Sequence, residues 1–233
     1  CLRITSMAKI WYLGHSCFRM EIDNVRIVTD PFVTENPLAK DIDLAQIEAD
    51  IILVTHGHGD HIGNLVELAN QTGALVVCNY EIYLWLEKQG YTNCRPMNHG
   101  GVFTSKGIQY KVVIAAHSSS FPDGSYAGNS VGFVIKGSND CIYFAGDTGL
   151  TLDMKLIGDE FELTGAVLPI GDNFTMGAKD AAIAATFCGA KKAIGMHYDT
   201  FDIIKINHDD AHNAFRDKGV ELLLPQVGEK LDF

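Results

Sequence analysis

The sequence predicts an α/β protein built as a four-layer αββα sandwich of two similar halves. Two observations carry this expectation. Apolar segments recur in two series, each opening with strands joined by short turns and closing with alternating helix and strand. Polar, metal-competent residues then recur where those strands end. A sheet covered by helices on one face must bury its other face, and two such halves satisfy each other by stacking sheet on sheet.

In the first series, strands are expected at 8–13, 17–22 and 25–30, with Asp23-Asn24 as the turn between the second and third. A helix near 43–49 and a strand at 51–55 follow. Beyond it Ile62, Leu65, Val66 and Ala69 stand at i, i+3, i+4 and i+7, the core-facing stripe of a helix. Strand 74–78, helix 80–89 and strands 102–105 and 108–115 come next. Strands at 130–136 and 141–145 open the second series. It continues through helix 152–160, strand 165–169, helix 179–188, strand 192–196 and helix 209–218, and ends in a β pair within 220–232. Residues 1–7 read as a remnant or disordered start, with Met7 the natural initiator, and 8–233 as a single domain.

Hydrophobic residues make up 47% and charged residues 20% of the 233-residue chain, a soluble globular composition. No apolar run approaches the ~20 residues needed to cross a bilayer, and the start lacks the apolar core of a secretory signal. A cytoplasmic protein is expected. The six cysteines are scattered without a Cys-x-x-Cys pair and read as reduced structural thiols, Cys78 and Cys141 within core strands. A formal charge of −11 and the lack of a Lys/Arg cluster disfavour a nucleic-acid partner. A small-molecule substrate fits better.

The chemistry concentrates in Thr55-His56-Gly57-His58-Gly59-Asp60-His61, directly after the apolar run Ile51-Ile52-Leu53-Val54. Residues two apart in an extended segment point to the same side, so His56 and His58 can reach one ion. Asp60 and His61 open the next helix, whose N-terminus favours an ionised Asp60. His61 points elsewhere, so the segment divides into two ligand pairs facing two neighbouring ions. Gly57 and Gly59 let the backbone turn between them. His117, Asp147 and His197 also follow apolar strands, the same placement as His56.

His-x-His-x-Asp-His, a strand-end His117, the turn Gly146-Asp147-Thr148-Gly149 and the late His197 together resemble the metallo-β-lactamase superfamily. Gly14-His15-Ser16, Thr29-Asp30-Pro31-Phe32, Pro169-Ile170-Gly171-Asp172-Asn173-Phe174-Thr175-Met176-Gly177 and His197-Tyr198-Asp199-Thr200-Phe201 look like its metal-dependent hydrolase branch. That branch is similar to ascorbate-6-phosphate lactonase and to N-acyl-phosphatidylethanolamine phospholipase D. The resemblance implies the metallo-β-lactamase fold and two metal ions. His56, His58 and His117 would hold the first, Asp60, His61 and His197 the second, and Asp147 would bridge them. Zinc is the default, with manganese or iron as alternatives since no thiolate is among the ligands. A metal-bridged hydroxide would attack an ester, lactone or phosphoester, with Asp60 orienting it and moving its proton.

His15 reads either as a substrate-side or outer-shell group of the metal centre or as a hydrogen-bonded strand-end histidine. Asp30 either orients a ligand imidazole or caps a Pro turn. Tyr198 either donates to a developing oxyanion or is structural. Asp172, Asn173, Thr175 and Met176 are expected to line the pocket or brace the next helix, and the polar loop 118–126 to wall it. His208-Asp209-Asp210-Ala211-His212 superficially matches a zinc-protease helix, but Asp replaces the required Glu. It reads as a solvated helix face, and His99 as a turn residue. The short stretch after His197 is expected to leave no room for an added substrate domain, and a second subunit of a homo-oligomer to finish the pocket. A phosphodiesterase or nuclease is the alternative enzyme. A metal-binding sensor or structural protein without turnover is the non-enzyme alternative. A redox di-iron protein fits less well, since such chains resemble His-x-Glu-x-Asp-His and His58 stands at the Glu position.

Overall fold

The computed structural model describes residues 7–233; the expectation for the first six residues lies outside them. The first part of the chain forms β1 (Lys9–Gly14), β2 (Cys17–Ile22), β3 (Val25–Thr29) and β4 (Ile51–Leu53). Then come α1 (Gly59–Ile62), α2 (Leu65–Thr72), β5 (Leu75–Asn79), α3 (Tyr80–Lys88), β6 (Cys94–Met97), β7 (Val102–Ser105) and β8 (Ile108–Ile114). The remainder comprises β9 (Val131–Lys136), β10 (Cys141–Phe144), α4 (Asp153–Glu160), β11 (Gly165–Pro169), α5 (Ala178–Phe187), β12 (Lys192–Met196), α6 (His208–Arg216), β13 (Glu221–Leu223) and β14 (Lys230–Asp232).

The strands form two seven-stranded sheets, ordered β14-β1-β2-β3-β4-β5-β6 and β7-β8-β9-β10-β11-β12-β13. Both run antiparallel through their first four strands and parallel through the rest. The two halves are therefore the same sheet twice, as the αββα expectation requires. The expected β pair within 220–232 does not form. β13 extends the second sheet beside β12, and β14 crosses to the first sheet to cover the free edge of β1. An unpaired edge exposes a row of N–H and C=O groups, and the C-terminal strand gives the first half the position that β7 holds in the second.

Strand alternation sets the layers. Ile51, Leu53 and Val77 join the core cluster that also holds Tyr110, Phe133, Ile142 and Phe144 of the opposite sheet. Ile52, Val54, Val76 and Cys78 face the other way, against Leu65, Leu68 and Ala69 of α2 and Ile82 and Leu86 of α3. Among the described residues every cysteine is free, and Cys78 and Cys141 are buried. Among the described residues no helix is long and apolar enough to cross a membrane.

Two local expectations change. The helix near 43–49 is only a 3-10 turn over Leu44–Gln46. The Gln71 side-chain amide donates to the carbonyls of Leu44, Ala45 and Ile47, which a helix would have needed for its own N–H groups. β6 had no strand signal because Pro96 interrupts it. Pro is tolerated there because β6 is the outermost strand of its sheet, where no ladder hydrogen bond is lost.

Candidate metal centre

Strand ends of both sheets meet at one place. The His56–His61 segment leaves β4 of the first sheet, and His15 follows β1. His117 follows β8, Asp147 follows β10 and His197 follows β12 of the second. The sheets are tied here by backbone: His197 N donates to His15 O at 3.0 Å, and Val131 N to Thr55 O at 3.0 Å. His15, Asp30 and His197 all hold positive φ (58°, 37° and 55°), unusual for residues with a Cβ. Such strain gathers where a side chain must be aimed rather than relaxed.

The ligand-type atoms of His56, His58 and His117 lie within 4.8 Å of one another, and so do those of His15, Asp60, His61 and His197. Asp147 lies between the groups. Its Oδ2 is 2.9 Å from His197 Nε2, 3.3 Å from His61 Nε2 and 3.5 Å from His117 Nε2. His56, His61, Asp147 and His197 are buried, while His58, Asp60 and His117 are partly exposed. Solvent and substrate therefore approach on that second side.

Hydrogen bonds orient the rings. Asp30, completely buried, accepts from Thr55 N at 2.8 Å, Thr55 Oγ1 at 2.6 Å and His61 Nδ1 at 2.8 Å. With the Thr55 hydroxyl donating to Asp30, its oxygen accepts from His56 Nδ1 at 3.0 Å. Both rings thus turn Nδ1 to these partners and Nε2 to the centre. Asp30 acts as an orienting residue for the imidazoles. It groups spatially with His56 and His61 as a further donor set, but its oxygens are already engaged.

The donor set fits a cation. His61 Nε2 and Asp147 Oδ1 are buried without hydrogen-bond partners. Burial works against a charge on His61, yet Asp147, Asp60 and Asp30 push its pKa well above the ordinary imidazole value. The carboxylates thus demand positive charge at this point, which a metal ion would supply in place of a proton. Burial holds His56, His58 and His117 below their ordinary value, leaving neutral rings with lone pairs to offer.

Neighbouring imidazoles keep Asp60 ionised. The helix it opens, α1, is one turn long, and α2 begins separately at Leu65, so little macrodipole builds up. Burial opposes ionisation, but His61 and the hydrogen bond from His15 outweigh it and hold the carboxyl well below the usual range. His15 is fully buried, 3.1 Å from Asp60 through Nε2 and 2.8 Å from Thr200 Oγ1 through Nδ1. Burial lowers its pKa to about 4 despite the Asp60 contact.

Gly57 is needed for close approach rather than for its φ: an added Cβ would lie 2.3 Å from Ala127 Cβ, whereas one on Gly59 would meet nothing nearer than Pro122 at 3.7 Å. The 118–126 loop folds over this segment, with Ser119 Oγ accepting from Gly57 N at 3.2 Å and the Phe121 ring stacked on Trp85.

The chain is similar to known proteins in sequence and in fold. A model of the β-lactamase superfamily domain matches residues 9–197. The chain belongs to the β-lactamase superfamily. Within it the chain is similar to UPF0173 metal-dependent hydrolases, 47% identical to that of Flavobacterium johnsoniae over 96% of this chain and 99% of the relative. The relative from Christiangramia forsetii is 48% identical with the same coverage. Among solved structures, Igni18, a metallo hydrolase from the archaeon Ignicoccus hospitalis, superposes with a TM-score of 0.88 at 32% identity, covering 98% of this chain and 99% of that one. These superfamily relatives share the fold across essentially the whole described chain.

Other candidates make these contacts. The Tyr198 ring stacks 6.4 Å from Tyr12 and meets His208 edge-on, and burial raises its pKa. Asp172 N bonds to Met176 O, and Met176 N to Thr148 O at 3.0 Å, which ties the 172–176 loop to the Asp147 turn. His208 pairs with Asp199 at 2.6 Å and is half exposed, and His99 Nε2 donates to Ser130 O at 2.8 Å. Sequence reasoning assigned no role to Thr55 or Thr200. Both stood inside quoted motifs, but a hydroxyl's partner is invisible without the fold.

Proposed function

We propose that this chain is a binuclear metal-dependent hydrolase acting on an ester or lactone of a small molecule. His56, His58 and His117 would hold one divalent ion and Asp60, His61 and His197 a second, with Asp147 between the two groups. Imidazole and carboxylate donors suit zinc, with manganese or iron as alternatives. The observation that carries the reading is Asp147 Oδ2, within 3.5 Å of three imidazole nitrogens contributed by three separate segments of the chain.

Two such ions, when bound, make a water nucleophilic at neutral pH and polarise the substrate oxygen. The chain's own groups do the rest. Asp60 stands on the partly exposed side, with one oxygen held by His15. Its carboxylate accepts the proton of the attacking water and returns it to the leaving alkoxide. Asp30 keeps His61 and, through Thr55, His56 aimed inward.

Neutral substrates are favoured over phosphodiesters. Among the described residues, the hydrogen-bond and ion-pair partners of the cluster are His, Asp and Thr side chains, with no Lys or Arg to meet a phosphate anion. The test is metal analysis followed by turnover. The reading expects two ions per chain, one set lost in His58→Ala, and hydrolysis of esters or lactones by the zinc-loaded protein. A single ion per chain would sink the binuclear centre. Turnover of phosphodiesters alone would sink the substrate class, and no turnover across esters, lactones, thioesters and phosphodiesters would favour a metal-binding sensor.

A further inference from the structure

We propose that Phe174 and Phe201 are specificity-determining residues that seat an uncharged alkyl or aryl group of the substrate at the rim of the metal centre. The reaction of that substrate rests on the hydrolase reading above; the seat for an apolar group does not. Both rings are exposed, 56% for Phe174 and 38% for Phe201. A lone exposed phenylalanine needs no explanation, but these two stand on neighbouring loops at the end of the sheet that carries three of the site residues. β11 lies between β10 and β12, and all three run parallel. The loop after β11, which bears Phe174, therefore emerges between Asp147 and His197. Phe201 stands 4 residues beyond His197.

Each loop is fastened to the cluster. Met176 N donates to Thr148 O at 3.0 Å, and the Thr148 hydroxyl accepts from Ala116 N at 2.9 Å, next to His117. Gly171 packs so closely on His197 O that an added Cβ would lie 2.0 Å away. The Phe201 ring meets that of His15 edge-on at 5.6 Å, and His15 Nε2 lies 3.1 Å from Asp60 Oδ2. The Phe174 loop is thus tied to the His117 segment and the Phe201 ring to the Asp60 side. His117 and Asp60 are both on the partly exposed side of the centre.

The loops are closed before any ligand arrives. Gly171 and Gly177 bridge across the base of the first, and Asp172 N donates to Met176 O at 3.0 Å. Asp172 and Asn173 hold positive φ (61° and 54°) directly before Phe174. In the second loop Asp199, also at positive φ (59°), accepts from Ile206 N at 3.0 Å, and Ile204 N donates to Phe201 O at 3.0 Å. Left-handed residues with a Cβ cost stability, and an outward-facing ring forgoes the burial of its apolar area. A hydrocarbon group recovers that area without first having to order the loops. Ile203, 60% exposed on the second loop, extends the apolar surface. Asp172 and Asp202 stand exposed beside the rings in sequence, and the one lysine of the second loop, Lys205, pairs with Asp202 at 2.6 Å. This setting favours a neutral group over an anionic one.

The test is NMR of the full chain labelled with 13C on its phenylalanine rings, titrated with methyl ketones of rising chain length, neutral probes that cannot be hydrolysed. The two signals are identified by their loss in Phe174→Ser and Phe201→Ser. The ketones should shift both and bind about two- to fourfold tighter for each added methylene. With the zinc-loaded protein, kcat/KM on nitrophenyl esters should rise with acyl length. The ratio of hexanoate to acetate, which cancels any general loss, should fall about tenfold in the double variant. No ring shifted, an unchanged ratio, or shifts confined to Phe161, which lines a separate groove with Val112 and Leu156, would each overturn the proposal. Should Phe201→Ser fail to fold, Phe174→Ser and the wild-type titration decide. Shifts at both rings without hydrolysis of any ester would sink the hydrolase reading and leave the apolar seat. Hydrolysis without those shifts would do the reverse.

Discussion

Asp30 Oδ2 and His61 Nδ1 lie 2.8 Å apart, both side chains completely buried. The same oxygen accepts the Thr55 hydroxyl, so one carboxylate aims two of the inward-facing imidazoles. Asp30→Asn is nearly isosteric but presents an amide to at least one of these donors. Metal affinity should fall about 10- to 100-fold, read by competition with a chelating dye. Unchanged affinity would reduce Asp30 to a turn residue.

Asp60 is partly exposed and its contacts are with other site residues. Asp60→Ala should therefore keep the fold, with a Tm close to wild type, while hydrolysis falls by at least the 10²–10⁴-fold typical of a lost general base. Circular dichroism and kcat on the best ester substrate check both halves. Full turnover in a folded variant would remove Asp60 from the mechanism.

Gly171 abuts the backbone of His197: an added Cβ would lie 2.0 Å from its carbonyl oxygen. Backbone cannot rotate away as a flexible side chain can. Gly171→Ala should cost about 1–3 kcal/mol, a fall of several degrees in Tm, and should displace His197. Gly59→Ala, with only an ordinary contact to Pro122, serves as the control and should leave Tm almost unchanged. Equal melting of the two variants would contradict the steric account.

Asp50 links the sheets away from the metal centre. It accepts from Arg26 N and Nε at 3.0 Å each and from Lys106 Nζ, on the β7–β8 turn, at 3.0 Å. The Arg26 guanidinium holds its carboxyl well below the usual range, against the opposing effect of burial. Because the folded-state pKa is depressed, the stabilisation is complete above the unfolded carboxylate value near 4 and is lost as pH falls below it. Urea midpoints between pH 6 and 2.5 should drop more steeply for wild type than for Asp50→Asn. Parallel curves would show that the pair contributes nothing to folding.

Most of the fold could be read from local pattern. Ile51-Ile52-Leu53-Val54 is buried on both faces, and the Ile62–Ala69 stripe belongs to helices that cover it. The misreadings share a cause. The 3-10 turn at Leu44, the Pro-bearing edge strand β6 and the divergence of β13 and β14 all depend on partners distant in sequence. Likewise only the fold reveals that the helix opened by Asp60 stops after one turn and that His15 bonds to its carboxylate.

The sequence by itself determined the layered architecture, the superfamily and the metal-competent residue types, since strand alternation, helix periodicity and imidazole spacing are local properties. Only the tertiary structure decided which atoms meet. Asp147 lies some ninety residues from His56 in sequence, yet its Oδ2 is 3.3 Å from His61 and 2.9 Å from His197. The ring orientations of His56 and His61 depend on Thr55 and Asp30, and that of His15 on Thr200 and Asp60. A hydrogen bond is a matter of a few tenths of an ångström and of direction, and neither is specified until both sheets have packed.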